Sequence, residues 1–160
     1  MAVKQKITTF LWFDKEAEEA AKLYTSVFEN SRITATTRYG EGGPGPKGSV
    51  MTVAFELAGQ PFTALNGGPR FKFTEAISLV VHCETQKEVD DYWAKLTAGG
   101  QESQCGWLKD RYGLSWQIVP TALPRLLQDP DPQKAKRVLE AMMLMKKLDI
   151  ARLEQAAAGK

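Results

Sequence analysis

The pattern of apolar residues in the first part of the chain predicts a strand, a helix and three further strands. Residues 7–13 are apolar and rich in β-branched side chains, as in a buried strand. From Glu16 to Phe28 the apolar residues recur at helical spacing. Further strands are predicted over 31–39, 49–57 and 61–65, with the glycine- and proline-rich segment 40–48 as a loop.

The same order of elements begins again after a break at residues 66–69. A strand is predicted over 76–83, and Thr85 followed three residues later by Glu88 has the form of a capping box that opens a helix. A β-hairpin over 105–120 closes this second set. At constant spacing Phe10 corresponds to Leu79 and Tyr24 to Trp93, which indicates an internal repeat. The sequence therefore predicts two β-α-β-β-β modules, 5–68 and 74–120, within one domain spanning 1–160.

A helical extension is predicted over 121–160. Asp131 followed by Pro132 is typical of a helix start, and Asp149 has the form of an N-cap for a last helix. The intervening apolar stripe is rich in methionine, from Val138 to Met145. Two interpretations of this stripe stay open. It packs on the chain's own sheet, or it covers a second subunit, because methionine suits adaptable interfaces.

Composition and charge narrow the classes of partner. The chain has 21 basic and 19 acidic residues and a formal net charge of +2, which is too even to favour nucleic acid or an anionic membrane surface. No apolar run reaches the length of a membrane span, and residues 1–6 lack the apolar core of a signal peptide. Two cysteines do not make a disulfide framework. We therefore expect a cytoplasmic protein with no nucleic-acid and no membrane partner.

Several local motifs together resemble one protein family. They are Phe10–Asp14, Ala64–Pro69, Cys105–Asp110, Trp116–Pro120 and the tail Met142–Ile150. These motifs resemble the PhnB-like branch of the vicinal oxygen chelate superfamily, which includes glyoxalases, extradiol dioxygenases and bleomycin-resistance proteins. The branch often carries the label 3-demethylubiquinone-9 3-methyltransferase. The resemblance implies an α+β fold in which two βαβββ modules form a curled mixed sheet, an open cup of eight strands, followed here by C-terminal helices.

The resemblance also implies where a metal would bind. Superfamily members usually hold a divalent ion with His, Glu or Gln from four strands of the cup. Counting from the helix aromatics and the hairpin glycines, the corresponding positions here are Thr9, Thr63, Ser78 and Gln117. These residues carry no carboxylate and no imidazole, so they supply no charge to offset dehydration of the ion. We therefore expect no metal and no other cofactor.

Strand parity predicts which side chains line the cup, because residues two apart share a face. The predicted ligand-binding pocket consists of Thr9, Leu11, Phe13, Thr63, Ser78, Val80, His82, Trp107, Ser115 and Gln117. Phe10 and Trp12 are predicted to face the helices instead. A mostly apolar pocket with a few hydroxyls, one amide and one imidazole suits a small organic ligand.

Two residues are candidates for catalysis. His82 is the only histidine, and histidine is the simplest general base near neutral pH. Cys105 begins a predicted strand and is a possible nucleophile. Each has a structural alternative: a strand-end histidine open to water, and a small buried hydrophobe. Cys83 is predicted to face the helices, and Asp110 to stabilise the hairpin turn.

These observations leave three functional hypotheses. The leading one is a homodimer that binds a small organic molecule in a metal-free cup. The second is an enzyme, either a metal-dependent lyase, isomerase or dioxygenase with Gln117 and His82 as partial ligands, or a methyltransferase as the label says. The glycine run 40–48 precedes a strand and contains two prolines, so it does not resemble an S-adenosylmethionine loop. The third is an interaction module whose pocket has lost its role.

Overall fold

The computed structural model describes residues 5–160. Residues 1–4, which carry part of the prediction that no signal peptide is present, lie outside the described residues. The chain divides into two compact units, one ending at Phe73 and one covering Thr74–Lys160. Whether the whole chain behaves as one domain, and whether the two sheets curl into one cup, stay predictions.

The first unit contains one helix and one four-stranded mixed sheet. Its elements are β1 (Thr9–Phe13), α1 (Ala17–Val27), β2 (Arg32–Arg38), β3 (Val50–Leu57) and β4 (Gln60–Asn66). The strand order is β1-β4-β3-β2, with β1 parallel to β4 and the other pairs antiparallel. Each predicted element of this module is present, with boundaries shifted by one or two residues.

One face of this sheet is packed beneath α1. The helix buries a stripe of apolar residues, as expected for an amphipathic surface helix: Ala17, Ala20, Ala21, Tyr24 and Val27. The Tyr24 ring lies 6.2 Å from that of Phe55, which stacks on Phe62 at 5.4 Å. Because Phe55 and Phe62 are paired across β3 and β4, this face is the core of the first unit.

The second unit repeats this arrangement. Its sheet elements and helix are β5 (Ser78–Cys83), α2 (Gln86–Thr97), β6 (Gln101–Glu102), β7 (Trp107–Lys109) and β8 (Ser115–Pro120). The strand order is β5-β8-β7-β6, with β5 parallel to β8. The Thr85 hydroxyl accepts from the Glu88 N–H at 3.2 Å, as the capping box predicts. Strand β6 is only two residues long and was not located from the sequence.

Three helices follow the second sheet: α3 (Ala122–Leu127), α4 (Pro132–Met143) and α5 (Ile150–Ala157). Asp131 and Asp149 cap α4 and α5 as predicted, accepting from Gln133 N at 2.9 Å and Arg152 N at 3.1 Å. Helix α3 was not predicted. The two βαβββ modules and these helices confirm the predicted α+β fold.

The methionine-rich stripe packs partly within its own unit. Val138 and Met145 are buried in a cluster with Leu148 and Leu153, so they pack within their own unit, mainly on the C-terminal segment itself and on the sheet only through Val119. Met143 and Leu144 stay largely exposed, so a role in covering a second subunit stays a prediction. In the part of the chain that the structure describes, every helix is too short or too polar to cross a bilayer.

Candidate functional site

In the first unit, the pocket residues predicted on β1 lie on the face that packs against α1, which is opposite to the predicted face. Leu11 and Phe13 are buried on the face that packs beneath α1, and Thr9, which pairs with Phe62, lies on the same face. Phe10 pairs with Thr63 across β4 and lies on the opposite face. The prediction that Thr9, Leu11 and Phe13 line the cup is therefore wrong in orientation, whereas Thr63 does lie on the face away from α1.

The cause is a difference of one residue between two connections. The segment from β1 to α1 (14–16) is one residue longer than the segment from β5 to α2 (84–85). Counting back from Tyr24 by the spacing that fits the second module therefore stops one residue short, at Thr9 instead of Thr8. A one-residue slip moves every side chain of a strand to the other face. Comparing the lengths of the two connections would have assigned Phe10 and Trp12 to the face away from α1.

The open face of the second module is the sheet surface opposite α2. It carries Ser78, Val80, His82, Trp107, Lys109, Ser115 and Gln117. These residues form rows across the strands. One row is Ser78, Ser115 and Lys109, and the next is Val80, Gln117 and Trp107. The predicted pocket residues of this module lie together on the open face, and that they bind a ligand stays a prediction; Lys109 is a member of the surface that sequence reasoning missed.

Gln117 and Ser78 are joined directly. The Gln117 amide Nε2–H donates to the Ser78 hydroxyl oxygen at 2.9 Å. This bond leaves the Gln117 carbonyl oxygen on the surface as an acceptor and the Ser78 O–H as a donor. The exposed side chain of Val80 adds an apolar contact beside them. The surface thus offers a few oriented polar groups among apolar ones.

A small pocket of about 150 Å³ lies at one end of this surface. Ser115 lines it, and its hydroxyl is buried with no hydrogen-bond partner among the described residues. The Lys109 ammonium forms an ion pair with Glu75 at the same place. A hydrogen bond from Lys109 holds the pKa of the Glu75 carboxyl below its usual range, so Glu75 is ionised at neutral pH.

The two candidate catalytic residues, His82 and Cys105, lie in different parts of the second module. His82 is exposed near the end of β5, opposite Val119. Cys105 is half-buried in the turn before β7 with a φ of 59°, rather than at the start of a strand. Its backbone N–H donates to Met145 O at 2.8 Å. Within residues 5–160, neither side chain forms a hydrogen bond or ion pair with an acid or a base.

Cys83 and Asp110 have structural roles. Cys83 is fully buried on the helix-facing side of β5, and burial raises the pKa of its thiol to about 12. The Asp110 carboxylate accepts from the N–H groups of Tyr112 and Leu114 at 2.8 and 3.1 Å and from the Trp116 indole at 2.9 Å. The prediction that Asp110 stabilises the hairpin turn is confirmed.

A larger cavity of about 500 Å³ in the first unit was not predicted. The 40–48 loop covers it, and Asp14, Lys15 and Glu18 lie at its rim beside the start of α1. Its floor is Asn66, whose side chain accepts from Ala17 N at 2.8 Å and donates to Val50 O at 3.1 Å. Since both ends of the amide are engaged in holding the unit together, Asn66 acts as a helix cap here.

Comparison with known proteins identifies the family. The sequence model of the 3-demethylubiquinone-9 3-methyltransferase family matches residues 5–119. The chain belongs to this family. Among curated proteins none matches the chain. The family match ends before α3, so the three C-terminal helices lie outside it.

Solved structures agree with this assignment. The chain is 43% identical to a putative 3-demethylubiquinone-9 3-methyltransferase, PhnB protein, from Bacillus cereus, with a TM-score of 0.68 over 73% of this chain and 100% of the other. A protein from Pseudomonas aeruginosa is 18% identical with a TM-score of 0.61, over 73% of this chain and 98% of the other. The fosfomycin resistance protein FosX from Listeria monocytogenes, in complex with Mn(II) and sulfate, is 16% identical with a TM-score of 0.51, over 78% and 97%. The last two comparisons support the fold alone.

The residues of this PhnB-like chain do not fit the divalent metal that the superfamily implies. Just before β1, the residue that corresponds to Ser78 is Thr8, which offers only a hydroxyl, and the residue that corresponds to Gln117 on β4 is Thr63. In the second module the Gln117 amide is bonded to Ser78. Among the described residues no three His, Cys, Asp or Glu side chains converge as metal ligands. Hydroxyl and amide oxygens alone lack the charge or imidazole that a divalent site needs.

Proposed function

We propose that this PhnB-like protein binds a small organic molecule on the open face of its second module. The observation that carries the proposal is the row of Val80, Gln117 and Trp107, in which the amide is oriented by its bond to Ser78. An apolar surface with a few oriented polar groups is the usual composition of a small-molecule site. The part of the ligand that lies on this row would be largely apolar, with one group that donates to the Gln117 carbonyl oxygen.

The chemistry of the surface favours binding over catalysis. FosX is described with Mn(II), but the positions that the family resemblance assigns to a metal carry Thr8, Thr63, Ser78 and Gln117 here, so we propose a site that works without a metal. Among the described residues, the side chains of His82 and Cys105 form no hydrogen bond or ion pair that would activate them as base or nucleophile, which weakens the enzyme hypotheses. Nothing in the described sites favours the methyltransferase reaction that the family label names.

A homodimer in the cytoplasm completes the proposal. Phe10 is 58% exposed and Ile77 70% exposed, and large exposed apolar side chains mark association surfaces. Both cysteines are free thiols, which suits a reducing compartment. A symmetric dimer would remove these side chains from water.

The test is a fragment screen by ligand-observed NMR, with two glutamine variants compared. Gln117→Leu removes the oriented amide, whereas the control Gln155→Leu makes the same change on the exposed side of α5. We expect fragments whose affinity falls about tenfold in Gln117→Leu, as for one lost hydrogen bond, and is unchanged in Gln155→Leu.

Four results would contradict the proposal or a part of it. Binding that ignores Gln117 would move the site elsewhere, and a screen without hits would remove the function. Elemental analysis of the same sample showing about one tightly held metal per chain would favour the metal-dependent enzyme. Light scattering that gives a monomer mass would reject the dimer.

A further inference from the structure

The small pocket at the end of the open face contains a buried polar group without a partner. Ser115 is 1% exposed, and its hydroxyl makes no hydrogen bond within the described residues. Buried hydroxyls are almost always paired, because losing water without a replacement bond is unfavourable. The missing hydrogen-bond partner of Ser115 is therefore expected to bind in the pocket that Ser115 lines, as either a ligand or ordered water.

The size of the pocket limits the group that it can hold. A volume of about 150 Å³ is roughly that of five water molecules in the liquid, so it takes a group of a few heavy atoms. Trp107 lines the pocket and also belongs to the row that contains Gln117. A molecule lying on the open face of the second module can thus extend one end into the pocket past the Trp107 ring.

The polar groups of the pocket favour an acceptor with one negative charge. Lys109 has three N–H donors and its ion pair with Glu75 uses one side of the ammonium, so donors remain. The Ser115 hydroxyl is a further free donor. Glu102, also at the pocket, already accepts from the Trp93 indole at 2.7 Å.

Charge distinguishes a carboxylate from a phosphate. The pocket has one ammonium and two carboxylates, Glu75 and Glu102, so it has no positive charge to spare for a doubly charged group. A single carboxylate can take the place of the Glu75 carboxylate beside Lys109, because the Glu75 side chain is mostly exposed and can turn toward water, so the charge at the ammonium stays balanced. An organic ammonium fits less well, because the Glu75 carboxylate is already paired with Lys109. Its N–H groups would also give the Ser115 O–H no acceptor.

We infer that this pocket takes the carboxylate of a small organic acid, with Ser115 and Lys109 as its donors and Glu75 as a competitor that it displaces from Lys109. The inference rests on the proposed function, because it names one end of the ligand that the open face binds. It makes the preferred ligand an organic acid whose remaining part contacts Trp107 and Gln117.

The test follows the indole N–H resonance of Trp107 in ¹⁵N spectra while propionate or lactate is added. Propionamide and lactamide serve as neutral controls of the same shape, and inorganic phosphate tests the charge. We expect a saturable shift with the acids only, weakened about tenfold by Lys109→Gln and about fivefold by Ser115→Ala, the scale of one lost hydrogen bond each. Glu75→Gln should strengthen binding about threefold or more, because it frees Lys109 and removes a like charge.

Each alternative result has a meaning. Equal shifts with the amides, no shift with either acid, or unchanged binding in Ser115→Ala would overturn the inference, the last because ordered water then satisfies the hydroxyl. Stronger binding of phosphate would overturn the charge assignment. Since Ser115→Ala removes an unpaired hydroxyl, its thermal midpoint should not fall, so weaker binding cannot be ascribed to unfolding.

Failure here is distinguishable from failure of the proposed function. If neutral fragments still bind in a Gln117-dependent way while the acids do not, the open face remains a binding surface and only the carboxylate anchor is rejected. If neither class binds, both proposals are rejected.

Discussion

At the scale of single residues, Asp110 carries more of the second module's structure than a turn residue usually does. Its carboxylate is almost fully buried and accepts from two backbone N–H groups and from the Trp116 indole. Trp116 is itself buried at the centre of β8, opposite Leu108. The hairpin turn and the core of the sheet thus depend on the same two oxygens.

We predict that Asp110→Ala lowers the free energy of unfolding by about 2–4 kcal/mol, since it leaves three donors without an acceptor, two of them near the core. Asp110→Asn keeps one acceptor oxygen and should cost less, about 1–2 kcal/mol. Urea denaturation followed by tryptophan fluorescence measures both. Asp91→Ala is the control, because its ion pair with Lys87 is exposed and should contribute less than about 1 kcal/mol. A similar loss in Asp91→Ala would show that the assay is not sensitive to burial.

The sequence predicted the turn at Asp110 but not its bond to Trp116. Asp four residues before a strand indicates local hydrogen bonding, which depends on nearby backbone alone. The indole contact depends on how the hairpin closes, and that follows from tertiary packing. The same limit applies to Gln117 and Ser78, far apart in sequence yet bonded across paired strands.

At the scale of elements, helices and strands were predictable because their apolar periods are long and regular. The inward face of a strand was predictable only where the segment between that strand and the following helix had the length assumed for both modules. The extra residue between β1 and α1 reversed the prediction for Leu11 and Phe13, whereas in β5 and β8 the side chains lie on the faces that strand parity assigned to them. Short elements such as β6 and α3 were not located from the sequence, because a few residues do not establish a period of apolar positions.

Another element-scale contact ties α5 to α2 through one side chain. The Gln86 amide donates to Leu148 O and Asp90 Oδ1, both at 3.0 Å, and accepts from Ile150 N at 2.8 Å. It therefore satisfies the backbone where the chain enters α5. The only other polar link at this place among the contacts described is the ion pair between Lys147 and Asp90.

We predict that Gln86→Ala lowers the free energy of unfolding by about 1–3 kcal/mol, because two backbone groups lose their partner. Hydrogen exchange measured by mass spectrometry should accelerate over 145–153 more than over the strands. Gln155→Ala, the matched change on the exposed side of α5, should leave both quantities unchanged. Uniform acceleration along the chain would mean that Gln86 supports the whole unit rather than the start of α5.

At the scale of the whole molecule, the C-terminal helices lie outside the family's matched region, yet the segment that carries them contacts the second module. The family match ends at residue 119, yet the N–H groups of Cys105 and Gly106 donate to Met145 O and Lys146 O at 2.8 Å. Gly106 has a φ of 86°, and a Cβ built there would lie 3.0 Å from Leu148. The turn before β7 is therefore shaped against residues that the matched region does not include.

Deleting residues 122–160 tests whether the second module needs the C-terminal helices to keep its structure. Removing 122–160 would expose Val119 and leave the turn N–H groups of Cys105 and Gly106 without their acceptors. We expect the indole N–H signals of Trp93 and Trp116 to lose their chemical-shift dispersion in ¹⁵N spectra of the truncated chain. Removing only residues 159–160 should leave them unchanged. If the long truncation keeps the native spectrum, α3 to α5 are not required by β7 and β8, and the exposed Leu144 would become the better reason for the chain to carry them.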